Sequence, residues 1–284
     1  MFKKYYLLTK PGIVRGNVFT AMGGFFLASR GTIDIPALLG ALFGTAFIIA
    51  SGCIFNNYID RDIDSKMVRT QKRALVTGAI SSRNALLFGA LLGIVGVITL
   101  LVFTNLLSCL VAVTGFIFYV VVYGYFKRAS VYGTLIGSIS GAIPPVIGYT
   151  AATHALDLGA VVLFLILVAW QMPHFYAIGI FRKDDYEMAG LPILPVKKGF
   201  DETKKHMIFF AALFLFGISL LTLFGYTGYL YLIVMFIVGG LWVGKILQKE
   251  ISDQNMWAKK VFGLSIVVLS LFSVIISIDF ALPF

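Results

Sequence analysis

The sequence predicts an all-α membrane protein: nine transmembrane helices bundled around a central cavity that opens to the cytoplasmic side. Three observations carry that expectation. Of the 284 residues, 59% are hydrophobic and only 13% charged, with a mean hydropathy of +0.94, which excludes an ordinary soluble fold. Apolar runs of about 20 residues, the length that crosses a bilayer as a helix, recur along the whole chain. The basic residues gather on alternate connections, as the positive-inside rule requires.

In order, the predicted spans are roughly 12–29, 36–57, 83–103, 106–126, 133–152, 158–181, 206–225, 228–247 and 260–281. The first holds Arg15 and follows Lys3, Lys4 and Lys10. It therefore lacks the pure apolar middle and cleavage site of a secretion signal and is expected to remain in the mature protein. The fourth and fifth are joined by the basic hairpin YGYFKRASVYGT. Small residues in the fifth suit close helix packing in lipid. Its Pro144-Pro145 pair, like Pro173 in the sixth, removes backbone donors and is expected to kink the helix. No room remains for a soluble domain, so 1–284 reads as one integral-membrane domain.

With nine spans, the amino terminus and connections 2–3, 4–5, 6–7 and 8–9 share one side. Those regions and their flanking turns hold every Lys and Arg except Arg30. That side is expected to be the cytoplasm, which places the chain in the cell inner membrane with its carboxyl terminus outside. The net charge of +10 is thus dispersed over several connections. It argues for contact with membrane lipid and against nucleic acid. Cys53 and Cys109 both lie in apolar segments and read as packing residues.

The chemistry concentrates in SGCIFNNYIDRDIDSKMVRTQKR, residues 51–73. If the helix continues past Asn57, then Asn56, Asp60 and Asp64 recur every four residues on one face, with Asn57 beside them. Two carboxylates and two amide oxygens make a hard donor set. It suits Mg²⁺, which takes one or two carboxylates and completes its shell with water and phosphate oxygens. The expected metal ligands are Asn57, Asp60 and Asp64. Asp62 points elsewhere and is expected to pair with Arg61 or Lys66. Arg69, Lys72 and Arg73 follow at once and could grip phosphate charge. A solvated helix end is the plain alternative, but the regular recurrence of oxygen ligands directly under an apolar span favours ligation.

NNYIDRDID resembles the first aspartate-rich motif, N-D-x-x-D-x-x-x-D, of the UbiA-type intramembrane prenyltransferases. The match falls on Asn56, Asn57, Asp60 and Asp64, with Asn57 where most of the family carries aspartate. The segments YGYFKRASVYGTLIGSISGAIPPVIGY and WQMPHFYAIGIFRKDDYEMAGLPILPVKKG are similar to the branch of that family that farnesylates protohaem IX. One departure stands out. The family's second motif is D-x-x-x-D, whereas DDYEMAG offers Asp184, Asp185 and Glu187, with no aspartate four residues after either aspartate.

The resemblance implies transfer of a farnesyl group from farnesyl diphosphate to a vinyl group of haem B, with addition of water, giving haem O and diphosphate. Mg²⁺ is the implied cofactor and haem B a substrate. Asp60, Asp64, Arg69, Lys127 and Tyr123 are the implied catalytic residues: metal and cations neutralise the leaving diphosphate, and the tyrosine face steadies an allylic cation. Asn56, Asn57, Lys72, Arg73, Gln171, His174, Lys183, Asp185 and Tyr186 would contact substrate. His174 either meets the haem or donates to the carbonyl that Pro173 frees. A haem-using oxidase assembly is the protein partner such a product implies. Transport is disfavoured, because nearly all of the charge lies at one surface and not at mid-membrane. A prenyltransferase of quinone precursors would carry aspartate at position 57 and an intact second motif.

Overall fold

The computed structural model describes residues 2–280, and among these the only β contact is an isolated bridge between Thr227 and Phe280. A short α1 (Phe2–Leu8) leads into α2 (Pro11–Ser29) and α3 (Ile35–Ile59), and a single turn, α4 (Arg61–Asp64), follows α3. After a long connection come α5 (Ser82–Phe103) and α6 (Leu106–Ile117), which passes through a π-helical turn (Phe118–Val122) into α7 (Tyr123–Ala129). The next pair is α8 (Gly133–Gly141) and α9 (Ile143–Thr153), followed by α10 (Leu158–Phe181). Two short pieces, α11 (Lys183–Met188) and α12 (Leu194–Lys197), precede α13 (Gly199–Leu223), α14 (Tyr229–Leu247) and α15 (Gln254–Ile278).

Eight helices are long and apolar enough to cross a membrane, counting Leu106–Ala129 and Gly133–Thr153 as one each. They coincide with predicted spans two to nine. The first predicted span is the 19-residue α2, which is not among the eight. Its Arg15, Asn17 and glycines lower its apolarity, yet it runs the length of the bundle. At its start Lys10 donates to Asn56 at the end of α3 (3.0 Å). Beyond its far end Arg30 sits 6.0 Å from the Tyr226 ring. A β-carbon on Gly24 would collide with the Pro145 carbonyl, and one on Gly148 with the Ala21 carbonyl. Glycine thus lets α2 and α9 meet backbone to backbone, the packing mode that substitutes for hydrophobic drive in lipid.

Local chemistry explains the helix ends. Asp34, Ser81, Asn105, Asp157 and Asp253 each cap a helix with a side-chain oxygen on a free N–H. Pro144 and Pro145 do more than kink their span: the helix ends at Gly141 and restarts at Ile143, with proline in the first turn, where a missing N–H costs nothing. Two predicted starts are corrected. α13 begins at Gly199, not 206, and α15 at Gln254, not 260, because hydropathy marks the apolar middle while the polar first turns are helical too.

The largest core cluster joins α10, α13, α14 and α15 around the buried Trp170, Tyr176, Phe214, Trp242 and Phe272. Both of those indoles satisfy their N–H, Trp170 on the Ser265 carbonyl (2.9 Å) and Trp242 on the Val261 carbonyl (3.0 Å). At one end of the bundle the two long connections pack on each other through Ile63, Met67, Ala189 and Leu191, with Tyr186 against them. Leu8, Ile54, Leu75 and Ile80 tie α1 to the same end.

Candidate active site

The face formed by residues 56, 60 and 64 survives the end of α3. The Asp60 N–H donates to the Asn56 carbonyl (2.9 Å) and the Asp64 N–H to the Asp60 carbonyl (2.7 Å), so the helical ladder carries through although Asp60 itself leaves helical geometry. Asp64, Asn56 and Asn57 are all buried. Buried polar groups need partners, and cations supply them from three separate parts of the chain. Arg73 meets Asp64 Oδ2 at 2.5 Å and reaches Asn57 Oδ1 at 3.3 Å with the same nitrogen. Lys127, carried in from α7, pairs with Asp60. Lys10 donates to Asn56 Oδ1, and Asn57 Nδ2 donates to the Leu8 carbonyl (2.9 Å).

Tyr123 completes this group. The Lys127 ammonium lies 5.3 Å from its ring centre, and Tyr119 stacks on it at 6.0 Å. The π turn sets this phase: the Tyr123 N–H bonds back five residues to Phe118, which rotates everything beyond it and brings Lys127 onto Asp60. Such turns are frequent at functional sites.

The donor set fits a divalent ion arriving with phosphate. Asp60 Oδ1 makes no directed hydrogen bond, although Lys127 and Arg128 (3.6 Å) both face it, and Asn56 Nδ2 is buried without a partner. Among the described residues no three His, Cys, Asp or Glu side chains gather as an all-protein cage. Two carboxylates and an amide oxygen instead leave coordination positions for water and substrate oxygens, the usual arrangement for Mg²⁺.

A model of the UbiA prenyltransferase family matches residues 17–272. The chain belongs to that family. UbiA relatives agree over the full length: a Yersinia enterocolitica protein named protoheme IX farnesyltransferase is 50% identical over 285 residues, covering 100% of this chain and 96% of its own. The Escherichia coli K12 protein of the same name matches with the same identity and coverage. Solved structures share the UbiA fold. One of digeranylgeranylglyceryl phosphate synthase superposes with a TM-score of 0.80 at 22% identity, covering 98% of both chains. A UbiA homologue from Archaeoglobus fulgidus bound to GPP and Mg²⁺ gives 0.66 at 18% identity, over 97% of this chain and 100% of that one. This UbiA chain is therefore an integral-membrane prenyltransferase.

Asn56, Asn57, Asp60, Asp64, Arg73, Lys127 and Tyr123 thus come together. No hydrogen bond or ion pair among the described residues joins the other expected residues to this group. Arg69 and Lys72 are exposed and make no ion pair among the described residues. Lys183 lines a separate cavity of about 270 Å³ with Asp184, Phe181, Phe200, Gln254 and Asn255. Asp185 and Tyr186 are half-buried on α11, and burial pushes the Tyr186 phenol up. Gln171 spends its amide N–H groups on the Ser138 (3.1 Å) and Leu167 (3.0 Å) carbonyls, joining α10 to α8. His174 does not serve the carbonyl freed by Pro173. Its Nδ1 faces Ser265 Oγ at 2.7 Å.

Asp62 pairs with neither Arg61 nor Lys66. Arg128 takes it in a two-bond fork, 2.8 Å each, and also donates to the Ile59 carbonyl (2.7 Å). Arg61 turns back over the Tyr58 ring, 4.4 Å from its centre. The fork holds the Asp62 carboxyl down at about 2. Sequence reasoning counted Lys10 and Arg128 only as topology charges. Lys10 is the more unexpected: it sits at φ 50°, a left-handed conformation rare for a side chain-bearing residue, immediately before Pro11. Burial lowers its ammonium to about 8. A lysine directly before a proline-started helix was the available signal.

Proposed function

We propose that this chain transfers a farnesyl group from farnesyl diphosphate to a vinyl group of haem B, with addition of water, giving haem O and diphosphate. The carrying observation is the convergence of Asp60, Asp64 and Asn57 with Lys127 and Arg73 at one mouth of an apolar helix bundle. The full-length relatives named protoheme IX farnesyltransferase support the choice of substrates.

Ionisation of an allylic diphosphate is limited by negative charge growing on the leaving oxygens. Mg²⁺ held by Asp60, Asp64 and Asn57 would neutralise part of that charge. Lys127 and Arg73 now balance the carboxylates and would turn to the diphosphate once it arrives, with Lys10 behind Asn56 adding to the positive field. Arg69, Lys72 and Lys183, free of ion pairs among the described residues, would draw the anionic substrates to this end. The faces of Tyr123 and Tyr119 shelter the developing cation, and Tyr186 lies with the two packed connections that cover the mouth. Apolar helix walls keep bulk water from the cation before the vinyl carbon reaches it. Asp185 on α11, with Gln171 and His174 on α10, would meet the acceptor.

The same reading makes α2 the ninth span and puts the Asp60 end, with the amino terminus, in the cytoplasm of a cell whose inner membrane holds the chain. The chain 1–284 acts as one domain, and a haem-using oxidase assembly receives the product. The test is direct: membranes carrying the protein, given haem B, farnesyl diphosphate and Mg²⁺, should form a species with the mass of haem O. An inserted, intact protein that forms none refutes the proposal.

A further inference from the structure

Ser265 makes two hydrogen bonds that together settle where His174 keeps its proton. Its Oγ donates to the Phe262 carbonyl at 2.6 Å, and a hydroxyl has one proton to give. The contact to His174 Nδ1 at 2.7 Å therefore has the imidazole as donor. Nδ1 carries the proton, and Nε2 keeps its lone pair. Three aromatic neighbours fix the ring plane: Trp170 stacked at 4.7 Å, Phe262 at 4.8 Å and Phe175 edge-on at 5.2 Å. Nε2 has no partner among the described residues, yet it is not sealed, since it is absent from the buried unpartnered atoms of this half-buried residue.

An imidazole anchored through one nitrogen, with the other offered as a lone pair, is the form in which histidine ligates metals. An ionisable residue within a transmembrane helix also calls for a function. We propose that Ser265 is a positioning residue that fixes the His174 tautomer, and that His174 Nε2 ligates the iron of the acceptor porphyrin. This rests on the haem-farnesylating reading. An iron bond on one side of the macrocycle fixes its plane and tilt, so that one vinyl edge is held for attack. Specificity follows as well: an iron porphyrin gains this bond, and the metal-free macrocycle does not.

The test titrates the purified full-length chain with ferric haem B, without farnesyl diphosphate, and follows the Soret band. Wild type should give a nitrogen-ligated spectrum. His174→Asn, whose amide can still donate to Ser265, should lose it. Ser265→Ala should weaken binding by about 10- to 100-fold, the usual cost of removing an outer partner of a ligating histidine, and Ser265→Thr should restore it. An unchanged spectrum in His174→Asn, or equal damage from Ser265→Ala and Ser265→Thr, overturns the proposal. Haem O formation on the same preparation separates the two readings. A wild type that makes haem O without a His174-dependent spectrum removes only the iron bond, and one that neither binds haem nor makes haem O removes both.

Discussion

Asp60, Asp62 and Asp64 lie within five residues, yet three different surroundings divide them. Asp64 is buried against Arg73, Asp60 is largely buried against Lys127, and Asp62 is 57% exposed in the Arg128 fork. Replacing Asp60 or Asp64 with alanine should abolish haem O while the protein still inserts, with product measured by mass and insertion by membrane fractionation. Asp62→Ala should leave most of the activity. Lys127→Ala removes the cation proposed to meet the leaving group and takes its ion-pair partner from Asp60, so kcat/KM for farnesyl diphosphate should fall by about 10²-fold or more. The depressed Asp62 carboxyl stabilises the fold at pH values above the ordinary carboxylate pKa of about 4, and that contribution is lost as pH falls towards 2. Thermal unfolding curves of wild type and Asp62→Asn should therefore shift in parallel from pH 5 to 8 and converge only in acid. At this scale the shared face of Asn56, Asp60 and Asp64 was legible from spacing alone. Lys10, Arg128 and the bond from His174 to Ser265 were not, because each joins residues 46 or more positions apart.

Two places depart from a regular span, and the first sets side chains at the site. The π turn at Phe118–Val122 shifts the phase of α7, so that Tyr123 and Lys127 face Asp60. A tyrosine-and-valine run carries no signal for an i to i+5 bond, since the same residues suit an α-helix equally well. Where α2 crosses α9, Gly24 and Gly148 have no room for a methyl group. Gly148→Ala should push the two helices apart at a cost of about 1–3 kcal/mol, lowering the melting temperature in detergent. Gly240→Ala, on the exposed face of α14 where nothing lies within 4 Å, should not. The sequence predicted close packing there from its small residues and a kink at Pro144-Pro145. It missed that the helix stops and restarts at Ala142, since a kink and a break share one composition.

The molecule is a helical bundle with its ionisable chemistry gathered at one end. That polarity is testable by labelling. Cysteines placed at Lys3 and Gly78 should react with an impermeant thiol reagent from the same side of the membrane, and one at His154 from the other. The native Cys53 and Cys109 are both buried and should stay silent. Labelling of Lys3 and His154 positions from one side would mean that the chain does not cross as α2 suggests. The two long connections, which share only a composition in the sequence, pack together through Ile63, Met67, Ala189 and Leu191. They bring the first aspartate motif beside α11, where the second motif of the family is incomplete.

Hydrophobic content and charge placement determined by themselves that this chain is a helical membrane bundle with its charge gathered at one end. Those properties depend on residue type and on separations of a few positions, which any reader of the chain can count. Only the tertiary structure decided which cation balances which carboxylate, where the helical phase slips and which nitrogen of His174 meets Ser265. Each of those depends on the meeting of segments distant along the chain, and a long side chain such as lysine or arginine reaches far enough that linear order places no limit on its partner.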